Sequence, residues 1–495
     1  MKRMHKLVSI LTAAMMLLST AALPVSAADV LTGDLDGSGE VTLTDAVQLA
    51  KAAAGTGEAL SAEGRLAADV NSDGEVNSTD LAWLLQYLAG TRTSLGTEEV
   101  SYRSAVDLTA DIVSGKVASK KPDAAYTAAQ LDFAKALMQN EWAQKTDENV
   151  LVSPLSVTLA LAMTANGAKG DTLAEMEQVL GGGMSIDTLN AYCRGYIDLL
   201  PQTEKTSLSV ANSVWFDEGR ITVPQPFLQS TADYYDASAF RAAFDDPNTV
   251  VDVNAWVNNK THGMIPNIIK EIDKETVMIL MNALAFEAEW REQYDKYSVY
   301  DRTFTAADGT EQTAQMMYSD EYTYLETPNA TGFVKPYYDG YSFAAILPNE
   351  GVSLDDYITG FDDAELSALY DGAKSTKVHA GLPKFEYDYG NSLVDSLQAM
   401  GMVTPFIDFV ADFSGMTEDP EQALVIGDVI HKTHIEVTEA GTRAAAVTAV
   451  VMENATAVMD PEQPKEVILD RPFLYAIIDN ETRLPVFVGT LTSAE

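Results

Sequence analysis

Two 12-residue segments, DLDGSGEVTLTD (Asp34 to Asp45) and DVNSDGEVNSTD (Asp69 to Asp80), repeat each other at an offset of 35 residues. No other feature restricts local structure so tightly. Oxygen-bearing side chains stand at positions 1, 3, 5, 9 and 12 of each segment, and a Gly stands at position 6, where the backbone must turn sharply. A hard cation such as Ca²⁺ takes about six to eight oxygens, and this spacing supplies them from side chains, the position 7 carbonyl and a water. The first loop would use Asp34, Asp36, Ser38, Glu40 (through its carbonyl), Thr42 and Asp45; the second would use Asp69, Asn71, Asp73, Glu75 (through its carbonyl), Asn77 and Asp80. Two Ca²⁺ ions are therefore expected. An apolar, helix-like run follows each loop, AVQLAKAAAG and LAWLLQYLAG, so the duplication describes a small paired module ending near Gly90. A pair of solvated acidic turns is the plainer alternative, and the agreement of two copies in register counts against it.

The rest of the chain sets the context. Residues 1–27 have the basic start MKRMHK, a short apolar run and the small-residue exit Val25-Ser26-Ala27 of a cleaved secretory signal. A membrane anchor would need a longer run and a stop-transfer pattern, and no other segment is long and apolar enough to span a bilayer. Removing Lys2, Arg3 and Lys6 takes the formal charge from −41 to −44, which argues against nucleic acid or anionic membrane as partners. Cys193 is the single cysteine, so no intramolecular disulfide can form, and its small apolar side chain is expected in the core.

A mature chain of about 470 residues exceeds one hydrophobic core. Residues 28–92 form the repeat module, and 93–122, mixed and polar with a Ser-Gly-Lys-Lys cluster, read as a linker with room for one short helix. From 123 to 495, helical patterns (LDFAKALMQNEWAQ, SVTLALAMTAN) mix with strand patterns (FVKPYYD, YSFAAILP, VHAGLPKFEYDYG, FLYAIID), which predicts one large α+β domain. A hydrolase would need a catalytic set, and none assembles: there is no G-x-S-x-G elbow and no H-E-x-x-H helix. GAKGDT has the wrong glycine spacing for a phosphate loop. His431 and His434 look like a metal pair, but in the strand that VIHKTHIEV predicts, residues three apart point to opposite faces.

The paired loops end in Asp, not the Glu of an EF-hand, and a single helix follows each. Residues 31–92 thereby resemble a dockerin, the small all-α calcium-folded module that plugs secreted bacterial proteins into cohesin domains of a cellulosome scaffoldin. The resemblance implies a cohesin partner read by loop positions 10 and 11, here Leu43 and Thr44 in one half and Ser78 and Thr79 in the other. Because the halves differ there, a symmetric dual binding mode is not expected.

The large domain resembles the serpins along its length. NVLVSPLSVTLALAM with GAKGDT, ANSVWF, VNAWVNNKTHGMI, MNALAFEAEW, LPKFEY, ADFSGM, VIHKTHIEVTEAGT and RPFLYAIIDNETRLPVFVG occur in the order and spacing of that family, with Ala288 where a Gly is usual. The resemblance implies three β-sheets, the central one five-stranded, about nine helices and an exposed reactive-centre loop. It also assigns Ser153, Ser156, Asn282 and His431 to a polar shutter beneath the point where the central sheet opens, and Trp290 and Glu439 to the breach at its top. Ser153 could instead simply cap a helix before Pro154, and Trp290 could be ordinary core.

The hinge of that loop would run through Glu439, Gly441, Thr442, Ala444, Ala445 and Ala446. A segment that enters a sheet must point alternate residues inward and be small where the strands part. Counted from Glu439, the inward set is Thr442, Ala444, Ala446, Thr448, Val450 and Met452, while the charged Arg443 and Glu453 fall outward. An Ala-rich surface helix would show neither this segregation nor so many β-branched residues. The resemblance implies a non-enzymatic inhibitor: a target serine protease cleaves the loop and is trapped as the loop inserts. By family count the bait bond is Ala455–Thr456, which suits elastase-like or subtilisin-like enzymes; the loop is about six residues longer than usual, which leaves bonds beside Met452 and Met459 open. A non-inhibitory binding module of the same fold is the alternative.

Overall fold

The computed structural model describes residues 31–88 apart from 39–40, 55, 57–59, 61 and 71–75, then residue 95, then 102–494 apart from 146–147, 202, 204, 274–275, 420–423 and 443–463. The chain divides into two compact units, Met1–Ser101 and Tyr102–Glu495. The expected signal segment 1–27, the loop ligands Glu40, Asn71, Asp73 and Glu75, the hinge residues Ala444, Ala445 and Ala446, and the bait bond Ala455–Thr456 lie outside the described residues.

The small unit is all-α among its described residues: α1 (Leu43–Ala53), α2 (Ala62–Ala68) and α3 (Ser78–Leu88). Its core is slight. Leu35, Ala46, Leu49, Ala68, Val70 and Leu84 are buried together, with Leu95 packed against them. A module with so little apolar area needs further staples to fold, such as bound ions.

Nine α-helices of the large unit are described: α4 (Ala124–Gln144), α5 (Pro154–Ala165), α6 (Gly170–Gly181), α7 (Ile186–Ile197), α8 (Gln225–Tyr235), α9 (Pro247–Lys260), α10 (Leu354–Thr359), α11 (Asp363–Asp371) and α12 (Val394–Ala399). Asp123 caps α4 by accepting from the N–H groups of Ala125 and Tyr126. Helix α5 begins with Pro154 behind the cap Ser153, and all its side chains are buried, because it packs on strands of both sheets. Cys193 is buried in α7, where burial pushes its thiol up to about 12.

The strands are β1 (Val106–Asp107), β2 (Leu151–Val152), β3 (Thr206–Asp217), β4 (Ser238–Ala242), β5 (Met278–Glu289), β6 (Val299–Thr305), β7 (Glu311–Glu326), β8 (Ala330–Pro336), β9 (Tyr341–Pro348), β10 (Lys374–Pro383), β11 (Phe385–Ser392), β12 (Asp428–Val437), β13 (Gly441–Thr442), β14 (Lys465–Ile468), β15 (Phe473–Asp479) and β16 (Pro485–Leu491). The central sheet runs β1-β4-β3-β5-β13-β12-β11: five full strands, with two-residue β1 at one edge and two-residue β13 wedged between β5 and β12. The second and third sheets are continuous, in the order β14-β10-β7-β8-β9-β15-β16-β2 with β6 beside β7. The join is β7, whose 16 residues pair with β6 and β10 along most of their length and with β8 at their end.

The linker expected over 93–122 is corrected from residue 102 onward. Residues 102–122 contain no helix and are fastened to the large unit: the buried Asp252 carboxylate accepts from the N–H groups of Arg103, Ser104 and Ala105, β1 pairs with β4, and Lys120 N–H donates to Ala191. The polar composition that suggested a linker is that of an edge segment whose backbone partners come from elsewhere in the chain.

Candidate functional site

The two acidic loops place matching residues in matching geometry. Asp45, fully buried at the start of α1, accepts from Leu35 N–H at 2.8 Å and Thr42 N–H at 2.8 Å; Asp80, fully buried in α3, accepts from Val70 N–H at 2.7 Å and Asn77 N–H at 2.8 Å. Thr42 and Asn77 in turn accept from the N–H of Thr44 and Thr79. Ser38 N–H donates to both Asp34 and Asp36 at 3.0 Å, closing the first turn. One oxygen each from Asp34, Asp36 and Asp45 lies within 4.8 Å of the others. An all-oxygen, carboxylate-rich set of this kind fits a hard divalent cation. Leu43, Thr44, Ser78 and Thr79 all lie exposed on the first turns of α1 and α3, with Leu43 69 % exposed.

In the large unit the site is a fork in the central sheet. β12 pairs in parallel with β5 from Asp428↔Ile279 to Thr433↔Leu284, and there the ladder ends. Pairing resumes only at the mouth, where Thr442 lies opposite Ala288 on one side and Val437 on the other. Between these points Ala285–Glu287 and His434–Glu436 face each other across the parting strands. Along β12 the residues Val429, His431, Thr433, Ile435 and Val437 are buried and their neighbours are not, so Thr442, level with Val437, sits on the core face.

Ser153, Ser156, Asn282 and His431 meet at the closed end of the fork, all fully buried. Ser153 N–H donates to His431 Nε2 at 3.1 Å, which leaves His431 Nδ1–H to donate to Asn282 Oδ1 at 2.7 Å; Ser156 Oγ donates to the same oxygen at 2.9 Å. Asn282 Nδ2 donates to Asn212 at 2.7 Å. The cluster bolts α5 to β5, β12 and β3 through one neutral imidazole, and burial holds His431 down to about 3.

At the mouth, Trp290 Nε1 donates to Thr438 O at 2.8 Å and Trp290 N–H to Ala440 O at 2.9 Å. Its ring stacks on Tyr337 with centroids 4.2 Å apart, and the Tyr337 hydroxyl shares a hydrogen bond with Thr442 Oγ1. Glu439 is held by Lys384 at 2.9 Å and through its carbonyl by Tyr294 N–H at 3.0 Å. Gly441 passes so close to the Ala288 backbone that a Cβ would fall 2.0 Å from the Ala288 carbonyl oxygen, which explains the glycine. Sequence reasoning missed Asn212, Tyr337 and Lys384. Each lies inside or beside a strand pattern, but only the register of neighbouring strands aims it at the fork.

The family described as "Serpin (serine protease inhibitor)" matches residues 128–494, and "Dockerin type I domain", a calcium-binding family, matches residues 32–89. The native-state crystal structure of the thermophilic serpin tengpin superposes with a TM-score of 0.74 at 46 % identity, covering 79 % of this chain and all of that one; the latent state of tengpin gives 0.66. An uncharacterized serpin-like protein of Thermococcus kodakarensis is 31 % identical over 70 % of this chain and 80 % of its own length. The leukocyte elastase inhibitor of Xenopus laevis is 30 % identical over 70 % of this chain and 93 % of its own. This chain belongs to the serpin family and carries a type I dockerin domain at its N-terminal end.

Proposed function

We propose that the protein is an exported serine protease inhibitor that acts as a suicide substrate and is held on a cellulosome scaffold by its dockerin. The fork carries this reading. β5 and β12 part above a polar bolt, and Gly441–Thr442 already sits between them at the mouth, so the segment that follows needs only to continue as a strand. Strand addition of this kind gains ladder hydrogen bonds and buries alternate side chains. The inward set Thr442, Ala444, Ala446, Thr448, Val450 and Met452 is small or apolar throughout.

In this reading a target protease attacks the carbonyl of Ala455, the Ala455–Thr456 bond breaks, and the new carboxyl terminus at Ala455 stays esterified to the enzyme. Insertion then drags the acyl-enzyme across the sheet before water can release it. The small side chain at the bait position suits elastase-like or subtilisin-like pockets. Residues 1–27 direct export. Exposed Leu43, Thr44, Ser78 and Thr79 meet the cohesin, and two Ca²⁺ ions are held by the loop oxygens, whose carboxylates they neutralise.

Incubation with subtilisin or elastase and separation on a denaturing gel tests the reading. A covalent band near the summed mass supports it. Cleavage or indifference without that band overturns it in favour of a non-inhibitory binding module.

A further inference from the structure

The solvent face of the central sheet carries a second arrangement beside the fork. On β11 and β12, Glu386 lies directly opposite Glu436, and Asp388 directly opposite His434. One oxygen from each glutamate and one ring nitrogen of His434 lie within 4.8 Å of one another. Like charges directly opposed on an antiparallel pair destabilise it unless a cation intervenes. The lysines that could serve are engaged elsewhere: Lys384, two residues before Glu386, pairs with Glu439, and Lys432, two residues before His434, donates to the Asn267 carbonyl. Neither glutamate forms an ion pair with a lysine or arginine among the described residues. Asp388 meanwhile accepts from His434 Nδ1 at 2.9 Å, and the imidazole is only 13 % exposed. A carboxylate on Nδ1 fixes the ring and leaves Nε2 as its lone-pair donor, the arrangement in which metal-ligating histidines are commonly held.

We propose that Glu386, His434 and Glu436 form a surface site for a borderline divalent cation such as Zn²⁺, with Asp388 as the positioning residue. Two carboxylates and an imidazole, with one coordination position left for water, suit Zn²⁺ better than the all-oxygen preference of Ca²⁺. The site ties β11 to β12 at the level where β12 leaves β5, and so stiffens one wall of the fork without filling it.

The test is calorimetric titration of Zn²⁺ into the tag-free full-length chain, with Ca²⁺ in excess to occupy the dockerin loops. One Zn²⁺ is expected to bind in the micromolar range and to raise the melting temperature of the large domain. His434→Ala or Glu386→Gln should remove that binding, Asp388→Asn should weaken it about 10- to 100-fold, and His379→Ala, which alters a histidine elsewhere on the surface, should leave it unchanged. No binding by the parent chain would overturn the proposal. Binding unaffected by His434→Ala and Glu386→Gln would overturn it as well.

Discussion

Thr442→Arg strikes the fork at its mouth. Thr442 is 2 % exposed, lies in register with Ala288 and Val437, and bonds through its hydroxyl to Tyr337. Losing that bond costs about 1 kcal/mol. A guanidinium in its place meets a cation already at the mouth: Lys335, bonded to Glu321 at 2.8 Å, lies 5.5 Å from the centre of the Trp290 ring, so a second cation would be repelled. An uncompensated buried charge adds about 3–5 kcal/mol. The side chain escapes this cost only by withdrawing Gly441–Thr442 from between β5 and β12. If about 2 kcal/mol of the total is felt at the barrier to insertion, insertion slows roughly 30-fold. Release of the protease then competes, and the variant becomes a substrate. The assay counts inhibitor molecules consumed per protease inactivated; the ratio of molecules cleaved and released to molecules that trap a protease should rise roughly 30-fold, with cleavage at the unchanged bond. Thr442→Val, which loses the hydroxyl but stays apolar, should remain within a few-fold of the parent chain. Equal efficiency of Thr442→Arg and the parent would refute insertion in this register.

Acid should loosen the closed end of the fork. The pKa of His431 in the fold, about 3, lies below its ordinary value of 6.5, so the stability it contributes is complete above pH 6.5 and is lost as pH falls from there toward 3. At pH 5 the loss is about 2 kcal/mol, seen as a lower melting temperature of the large domain that His431→Gln should make less pH-dependent; an unchanged pH slope in that variant would exclude His431 as its source. Chelation of Ca²⁺ with EDTA should abolish cohesin binding and the helical circular dichroism of residues 31–92 while the large domain keeps its melting transition, and Asp34→Ala with Asp69→Ala should do the same. Replacing Leu43-Thr44 by alanines should weaken cohesin binding more than replacing Ser78-Thr79, by about tenfold, since only the first pair presents a large exposed apolar side chain; equal losses would argue for a symmetric binding mode.

Much of this molecule was legible before its coordinates because the informative patterns are local. Each acidic loop closes within 12 residues, and Asp45 and Asp80 take their partners from within ten residues of themselves. The alternation in VIHKTHIEV put His431 and His434 on opposite faces, where they are found: one buried in the bolt, the other on the solvent side. The segment 102–122 reads as a linker in sequence because its partners, Ala191, Ala239 and Asp252, lie some 70 to 150 residues further along the chain. A polar edge strand and a free linker have the same composition.

Sequence alone determined the spacing of the two acidic loops and the run of helices and strands, since each follows from turn chemistry or side-chain period within one element. Tertiary structure decided which residues share a site. Asn282 reaches His431 because β5 and β12 pair in parallel in one register, Thr442 is buried because the ladder between them stops at Leu284 and resumes at Ala288, and Glu386 joins His434 and Glu436 through antiparallel pairing with β11. A one-residue slip in any of these ladders would turn those side chains to the other face, and no local propensity records the register.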